Sequence, residues 1–297
     1  VTDFTPISYT SADGLELHAR DYAATGPDAA GAGAAARLPV ICLHGLTRNA
    51  ADFEEFAPRV AALGRRVLAL DVRGRGHSAH DPEPSNYNRQ VYADDVATLM
   101  AQVGMEKAVF VGTSMGGLVT MTLAERHDDL VAAAVLNDIG PIISDRGLAR
   151  IAGYAGKPVA FASWVEAAAY LRDLNACAFP NYPDSEWDKW AQRAFAPDAA
   201  GRLVPRYDPN IALGVRGGAP SVTSPELRRA FRHLAQTRPT LLVRGALSDL
   251  LEESHATWMR RAAPSMRYVV VPDVGHAPML TEPAAFGAIT SFLAGLP

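Results

Sequence analysis

Cysteine is nearly absent from this chain. Its 297 residues include 2, Cys42 and Cys177, too few and too far apart for a disulfide framework. Cys42 lies in the apolar run PVICLHG, where a free thiol packs as a small hydrophobe. Lysine is almost as scarce: apart from Lys107, Lys157 and Lys189, the 28 basic residues are arginine. They form no dense run, and the formal net charge is −4, which disfavours nucleic acid and membrane surfaces as partners. Uninterrupted apolar stretches near 18 residues are missing, so no spanning helix is expected. The opening VTDFTPISYT has neither a basic n-region nor an apolar h-region, and the expected location is cytoplasmic. Nowhere do Cys, His and carboxylates cluster at metal-ligand spacing.

What is present is an ordinary globular composition, 48% hydrophobic and 20% charged, in a chain long enough to hide roughly three quarters of its unfolded surface. Two alternating runs, FTPISYTSA and LELHARDY, meet at the turn dipeptide DG and read as a hairpin. The stretch AATGPDAAGAGAAARLP that follows has no apolar period and reads as a surface loop. From Pro39 the rhythm changes to short, continuously apolar runs (PVICLHG, RRVLALDV, KAVFVGTS, AAAVLND, PTLLVRGA, MRYVVVPD) separated by segments with helical spacing. Continuous apolarity marks strands covered on both faces, so the fold class is α/β, a doubly wound and mostly parallel sheet. Between about residues 139 and 236 the alternation stops and aromatic-rich amphipathic segments take over. The expected organisation is a sheet core over 1–138 and 237–297, with a helical cap inserted at 139–236.

The chemistry concentrates around VFVGTSMGGLV. Gly112, Ser114 and Gly116 fit G-x-S-x-G, in which glycines on both sides let a strand turn at once into a helix and leave a serine hydroxyl exposed on the bend. Serine is also an ordinary helix N-cap, but this motif follows AVFV and precedes an apolar helix, the setting a nucleophile elbow requires. A nucleophilic serine needs a base, and the base needs an orienting carboxylate. Among 8 histidines, His276 is the candidate base, because it sits in a glycine-flanked loop between the last strand and the C-terminal helix. His44 reads as a structural residue of its loop. For the acid, Asp249, after the penultimate strand, is favoured. Asp138 also ends a strand and competes with it. Backbone N–H groups of Met115, at the helix N-terminus, and Leu46, after Gly45, are candidates for an oxyanion hole. Asp71 reads as a structural carboxylate.

Together these stretches resemble the α/β-hydrolase superfamily over nearly the whole chain. LHGLTRN is similar to its oxyanion segment, DVRGRGHS to its D-x-R-G-x-G-x-S turn (Asp71, Arg73, Gly74, Gly76, Ser78), GTSMGG to its nucleophile elbow, and RGALSDLL and GHAP to its acid and base loops. Within the superfamily the chain resembles the capped serine esterase and enol-lactonase-like branch. That resemblance implies a carboxylesterase or lactonase with a catalytic triad of Ser114, His276 and Asp249, no metal or organic cofactor, and a small-molecule ester or lactone as partner, in a monomer or homodimer. C–C bond hydrolases of this fold also use serine and stay open, as does a protein that only binds a small ligand. Leu46 and the aromatics Tyr154, Trp164, Trp187 and Trp190 are the candidate substrate-binding residues, and a cap with few charges points to a largely apolar substrate.

Overall fold

The computed structural model describes residues 4–26, 37–213 and 224–297; most of the Ala/Gly loop, residues 27–36, lies outside them. The chain begins with the expected hairpin of β1 (Thr5–Thr10) and β2 (Glu16–Tyr22). It then alternates through β3 (Val40–Leu43), α1 (Phe56–Ala61), β4 (Val67–Asp71), α2 (Arg89–Gln102), β5 (Ala108–Thr113), α3 (Met115–Arg126) and β6 (Val131–Asn137). Three helices, α4 (Asp145–Tyr154), α5 (Trp164–Asn175) and α6 (Asp184–Ala194), and a short hairpin of β7 (Phe195–Pro197) and β8 (Leu203–Pro205) interrupt the alternation. It resumes with α7 (Pro225–Thr237), β9 (Thr240–Gly245), α8 (Glu253–Ala262), β10 (Arg267–Val271) and α9 (Pro283–Ala294).

The main sheet has 8 strands in the order β1-β2-β4-β3-β5-β6-β9-β10. β1 and β2 run antiparallel at one edge, and the remaining strands from β4 onward are parallel. Every residue of β3 and β4 is buried, as continuous apolarity requires of strands covered on both faces. Because strand side chains alternate, each strand feeds two cores. Ile41, Leu43, Leu68, Leu70, Phe110 and Leu136 point to one, shared with α2, α3, α7 and α8. Val40, Cys42, Val67, Ala69, Val111 and Val135 point to the other, shared with α1, α9 and the aromatics of α6.

The helix α7 buries Leu227, Ala230, Phe231 and Leu234 in the same cluster as Val119 and Leu123 of α3, so it flanks the sheet. A boundary at 236 therefore runs through a helix of the core layer, because its polar sequence masks a one-sided apolar stripe. The inserted helices α4–α6 are fastened down by polar ties. Arg193 of α6 reaches Glu54 and Glu55, both at 2.7 Å, Asn49 donates to the Arg193 carbonyl at 2.8 Å, and the Gly275 amide donates to the Ala178 carbonyl at 2.6 Å. Among the described residues no helix is long and apolar enough to cross a membrane.

Candidate active site

β5 ends at Thr113 and α3 begins at Met115, so a single residue, Ser114, makes the whole reversal. Its φ of 52° lies in the left-handed region that a side chain with a β-carbon occupies only under constraint. The constraint is visible: the Ser114 amide donates to the Asn137 carbonyl of β6 at 3.0 Å, and its own carbonyl accepts from Gly117 at 2.9 Å. The flanking glycines are steric requirements. A β-carbon on Gly112 would lie 2.5 Å from the Gly116 backbone, and one on Gly116 would lie 2.1 Å from the Leu43 carbonyl oxygen of β3. Gly116→Ala should therefore force β3 and α3 apart and cost about 3 kcal/mol or more, read as a lowered urea midpoint; an unchanged midpoint would contradict this packing.

The strained turn aims Ser114 Oγ at His276 Nε2, 2.9 Å away. The other ring nitrogen, Nδ1, meets Asp138 Oδ2 at 2.8 Å. Asp138 follows β6 directly, is fully buried and also has a left-handed φ, 55°. Its Oδ1 accepts from the Gly245 amide at 2.8 Å and its Oδ2 from the Ser248 hydroxyl at 2.6 Å. Those donors fix the carboxylate in direction, and its Oδ2 faces Nδ1 as an acceptor, which places Nδ1–H on its side of the imidazole and leaves Nε2 to accept from Ser114.

Asp249, favoured for its loop after the penultimate strand, is a correction: the carboxylate hydrogen-bonded to His276 is that of Asp138. The Asp249 carboxylate makes no hydrogen bond to the imidazole and pairs instead with Arg150 of α4 through two bonds, Nε–Oδ2 at 2.6 Å and Nη2–Oδ1 at 2.8 Å. Burial pushes the Asp249 pKa up, but the Arg150 hydrogen bonds and charge outweigh it and hold the carboxyl below its usual range. The neighbour Ser248 is what the loop contributes to Asp138, a role that sequence order does not reveal.

The Leu46 and Met115 amides have no backbone acceptor among the described residues. Arg75, fully buried, braces both: its Nε donates to the Leu46 carbonyl at 3.0 Å and its Nη2 reaches Met115 Sδ at 3.4 Å. Arg75 was hidden in the sequence as a variable position of the D-x-R-G-x-G-x-S turn. His44 bridges the same region, accepting from the Val72 amide at 3.1 Å and donating from Nδ1 to the Gly45 carbonyl at 2.7 Å. Burial lowers its pKa to about 3, so it remains a neutral strut. Asp71 accepts from the Ala50 and His77 amides and so ties the segment that carries Leu46 to the turn after β4.

Ser114 and His276 open into a cleft of about 1040 Å³, including space open to solvent, between the sheet edge and the inserted helices. Leu46, Tyr154 and Trp190 line it, with Ile151, Tyr170 and Leu171. Two expected lining residues do not. Trp187 is buried within the insertion, one turn before Trp190 on the same face of α6 with its ring stacked on it at 5.6 Å, and Phe179 and Tyr182 pack against it. Trp164 starts α5 and is 41% exposed on the outside. Arg48 lines the cleft too and escaped the sequence reading, having only its position after HGLT to mark it. Among the described residues no three His, Cys, Asp or Glu side chains converge as metal ligands.

Known proteins resemble this chain over most of its length. A family model described as alpha/beta hydrolase fold matches residues 39–283. The chain is similar to a 3-hydroxybutyrate-oligomer hydrolase of Cupriavidus necator, 34% identical over 86% of this chain and 88% of the relative. It is also similar to a 2-(acetamidomethylene)succinate hydrolase of Mesorhizobium japonicum, 29% identical over 86% and 87% of the two chains. A crystal structure of an alpha/beta hydrolase from Novosphingobium aromaticivorans covers 99% of both chains at 39% identity with a TM-score of 0.88.

Proposed function

Since the chain belongs to the α/β-hydrolase fold family, we propose that it hydrolyses a carboxylic ester or lactone through an acyl-enzyme on Ser114. The carrying observation is the unbroken line of hydrogen bonds from Ser114 Oγ through His276 to Asp138. In the proposed cycle His276 Nε2 takes the Ser114 proton as Oγ attacks the carbonyl carbon. The developing oxyanion lies toward the Leu46 and Met115 amides, whose donors are unspent; that of Met115 also sits at the N-terminus of α3, with its positive partial charge. His276 then hands the proton to the leaving alkoxide. Water, deprotonated by the same nitrogen, attacks the acyl carbon, and the acid departs as Ser114 regains its proton. Asp138 fixes the imidazole tautomer and stabilises the imidazolium in both halves.

The cleft walls of Ile151, Leu171 and Phe195 favour a substrate with a substantial apolar part. The relative named for hydrolysing 3-hydroxybutyrate oligomers makes the ester the preferred scissile group. With p-nitrophenyl acetate, a burst of p-nitrophenol equal to the enzyme concentration should precede the steady state, and a serine-directed organophosphate should abolish it, leaving its phosphoryl group on Ser114 Oγ as its leaving group departs, a mass increase located at that residue. Absence of both the burst and the adduct would overturn the acyl-enzyme. Cleavage of a vinylogous diketone where no ester reacts would move the reading to C–C bond hydrolysis.

A further inference from the structure

Arg48 is the one cationic side chain among the described residues that line the cleft, and Asp52 is the one carboxylate. Its stem runs close to the reacting centre: a β-carbon on Gly45 would stand 3.5 Å from Arg48 Cγ and 3.7 Å from Ser114 Cβ. Three neighbours clamp the guanidinium. Its plane lies over the Trp190 ring, 4.0 Å from the centroid, its Nε is 2.7 Å from Asp52 Oδ2, and its Nη2 touches only the thioether of Met279, at 3.7 Å. These contacts orient the group without using it up. The Nε–H does not point at Asp52 well enough to form a hydrogen bond and is otherwise buried without an acceptor, a sulfur atom is a weak acceptor, and Nη1 reaches no acceptor among the described residues.

We propose that this guanidinium seats a carboxylate of the substrate, so that the natural ester carries a free acid a few bonds from the carbonyl that Ser114 attacks. The inference rests on the acyl-transfer reading of the same cleft and adds the substrate class to it. A carboxylate offers two parallel acceptors to a planar fork of donors, the geometry in which arginine binds most strongly. The rest of the lining offers no second Arg or Lys among the described residues, and burying the anion away from a counter-charge is costly, so the seat fixes orientation as well as affinity. One guanidinium can hold more than one carboxylate, and this chain does so at Arg73, which binds Asp13, Asp81 and Asp95 together. Asp52 therefore does not close the site to a second acid. Near Arg48, Tyr154 and Thr47 line the same cleft, and burial raises the Tyr154 pKa and keeps its hydroxyl neutral, leaving a neutral polar rim that suits an anion.

Two substrate pairs test the seat, each a free acid against its uncharged methyl ester. 4-Nitrophenyl hydrogen glutarate against 4-nitrophenyl methyl glutarate carries the acid on the acyl side; 3-acetoxybutanoate against methyl 3-acetoxybutanoate carries it on the alcohol side. The expected result is a kcat/KM ratio of about 10-fold or more in favour of the acid in at least one pair, expressed mainly in KM. Arg48→Met should collapse that ratio to about 1, and Arg48→Lys, which keeps the charge and loses the fork, should retain part of it. Using the ratio within each variant removes any general loss from disturbed packing on Trp190, and Arg48→Lys serves if Arg48→Met does not fold. If the wild-type enzyme cleaves the neutral esters and shows no preference for the acid in either pair, the carboxylate seat is wrong and the hydrolase reading stands. A preference that survives undiminished in folded Arg48→Met also overturns it. If no ester is cleaved at all, the acyl-transfer reading falls and takes this inference with it.

Discussion

Ser114→Ala should lower kcat by about 10⁴- to 10⁶-fold and leave KM nearly unchanged. The hydroxyl oxygen is the atom that forms the acyl bond, and His276 approaches it at 2.9 Å, so no neighbouring group can substitute. What remains, the amides of Leu46 and Met115 and the imidazole acting directly on water, should still exceed the uncatalysed rate by about 10³-fold. The fold should not notice the change. Ser114 makes no side-chain cap for α3, and alanine carries the same β-carbon into the same left-handed backbone, so the thermal midpoint should shift by no more than about 2 °C. Ser114→Gly separates the two effects: it removes the hydroxyl and also the β-carbon strain, and should be more stable than wild type by about 1 kcal/mol while equally inactive. A Ser114→Ala enzyme that keeps a tenth of its turnover would remove the serine from the chemistry.

The elbow was legible because it is local. A strand, one strained residue and a helix are consecutive in the chain, and the glycines that the close approaches demand stand in the motif itself. The two-sided burial of β3 to β6 was legible for the same reason, as continuous apolar runs. His276 was legible from its loop between β10 and α9. The acid was not, because two carboxylates, Asp138 and Asp249, each leave the sheet at the carboxyl end of adjacent strands, β6 and β9, and chain order Ser, Asp, His is the same for both. The choice is made by a turn. Asp138, at a left-handed φ just past β6, bonds to Gly245, Ser248 and His276, while Asp249, further along its own loop, meets Arg150 from α4, about a hundred residues away in sequence. No periodicity or spacing encodes that long-range ion pair. Trp164 and Trp187 failed as pocket residues on similar grounds, since an aromatic in an amphipathic helix can serve the insertion's own core or face outward, and only packing decides.

Asp138→Asn should lower kcat by about 10⁴-fold, and Asp249→Asn by no more than about 10-fold. Asp138 Oδ2 accepts from both the Ser248 hydroxyl and His276 Nδ1. With Gly245 donating to the other oxygen, the amide of asparagine has to present its NH₂ to the imidazole. That donor forces the proton onto Nε2, and Nε2–H can no longer accept from Ser114 Oγ, so the geometry survives and the base is lost. Asp249→Asn touches no atom of that line. Its cost is in stability: Arg150 and Asp249 are mostly buried, 19% and 12% exposed, and removing one charge of such a pair should cost about 1–3 kcal/mol by loosening α4 from the sheet edge. The pH dependence carries its own signature. Because Arg150 holds the Asp249 pKa below the unfolded value of about 3.9, the pair contributes stability that is complete above that value. It disappears as the pH falls through the lower folded pKa. The acid-side loss of thermal stability should therefore be shallower in Asp249→Asn than in wild type. If instead Asp249→Asn abolishes turnover and Asp138→Asn retains it, the carboxylate that orients His276 during the reaction is the one paired with Arg150 at rest, and the inserted helices must move before each catalytic cycle.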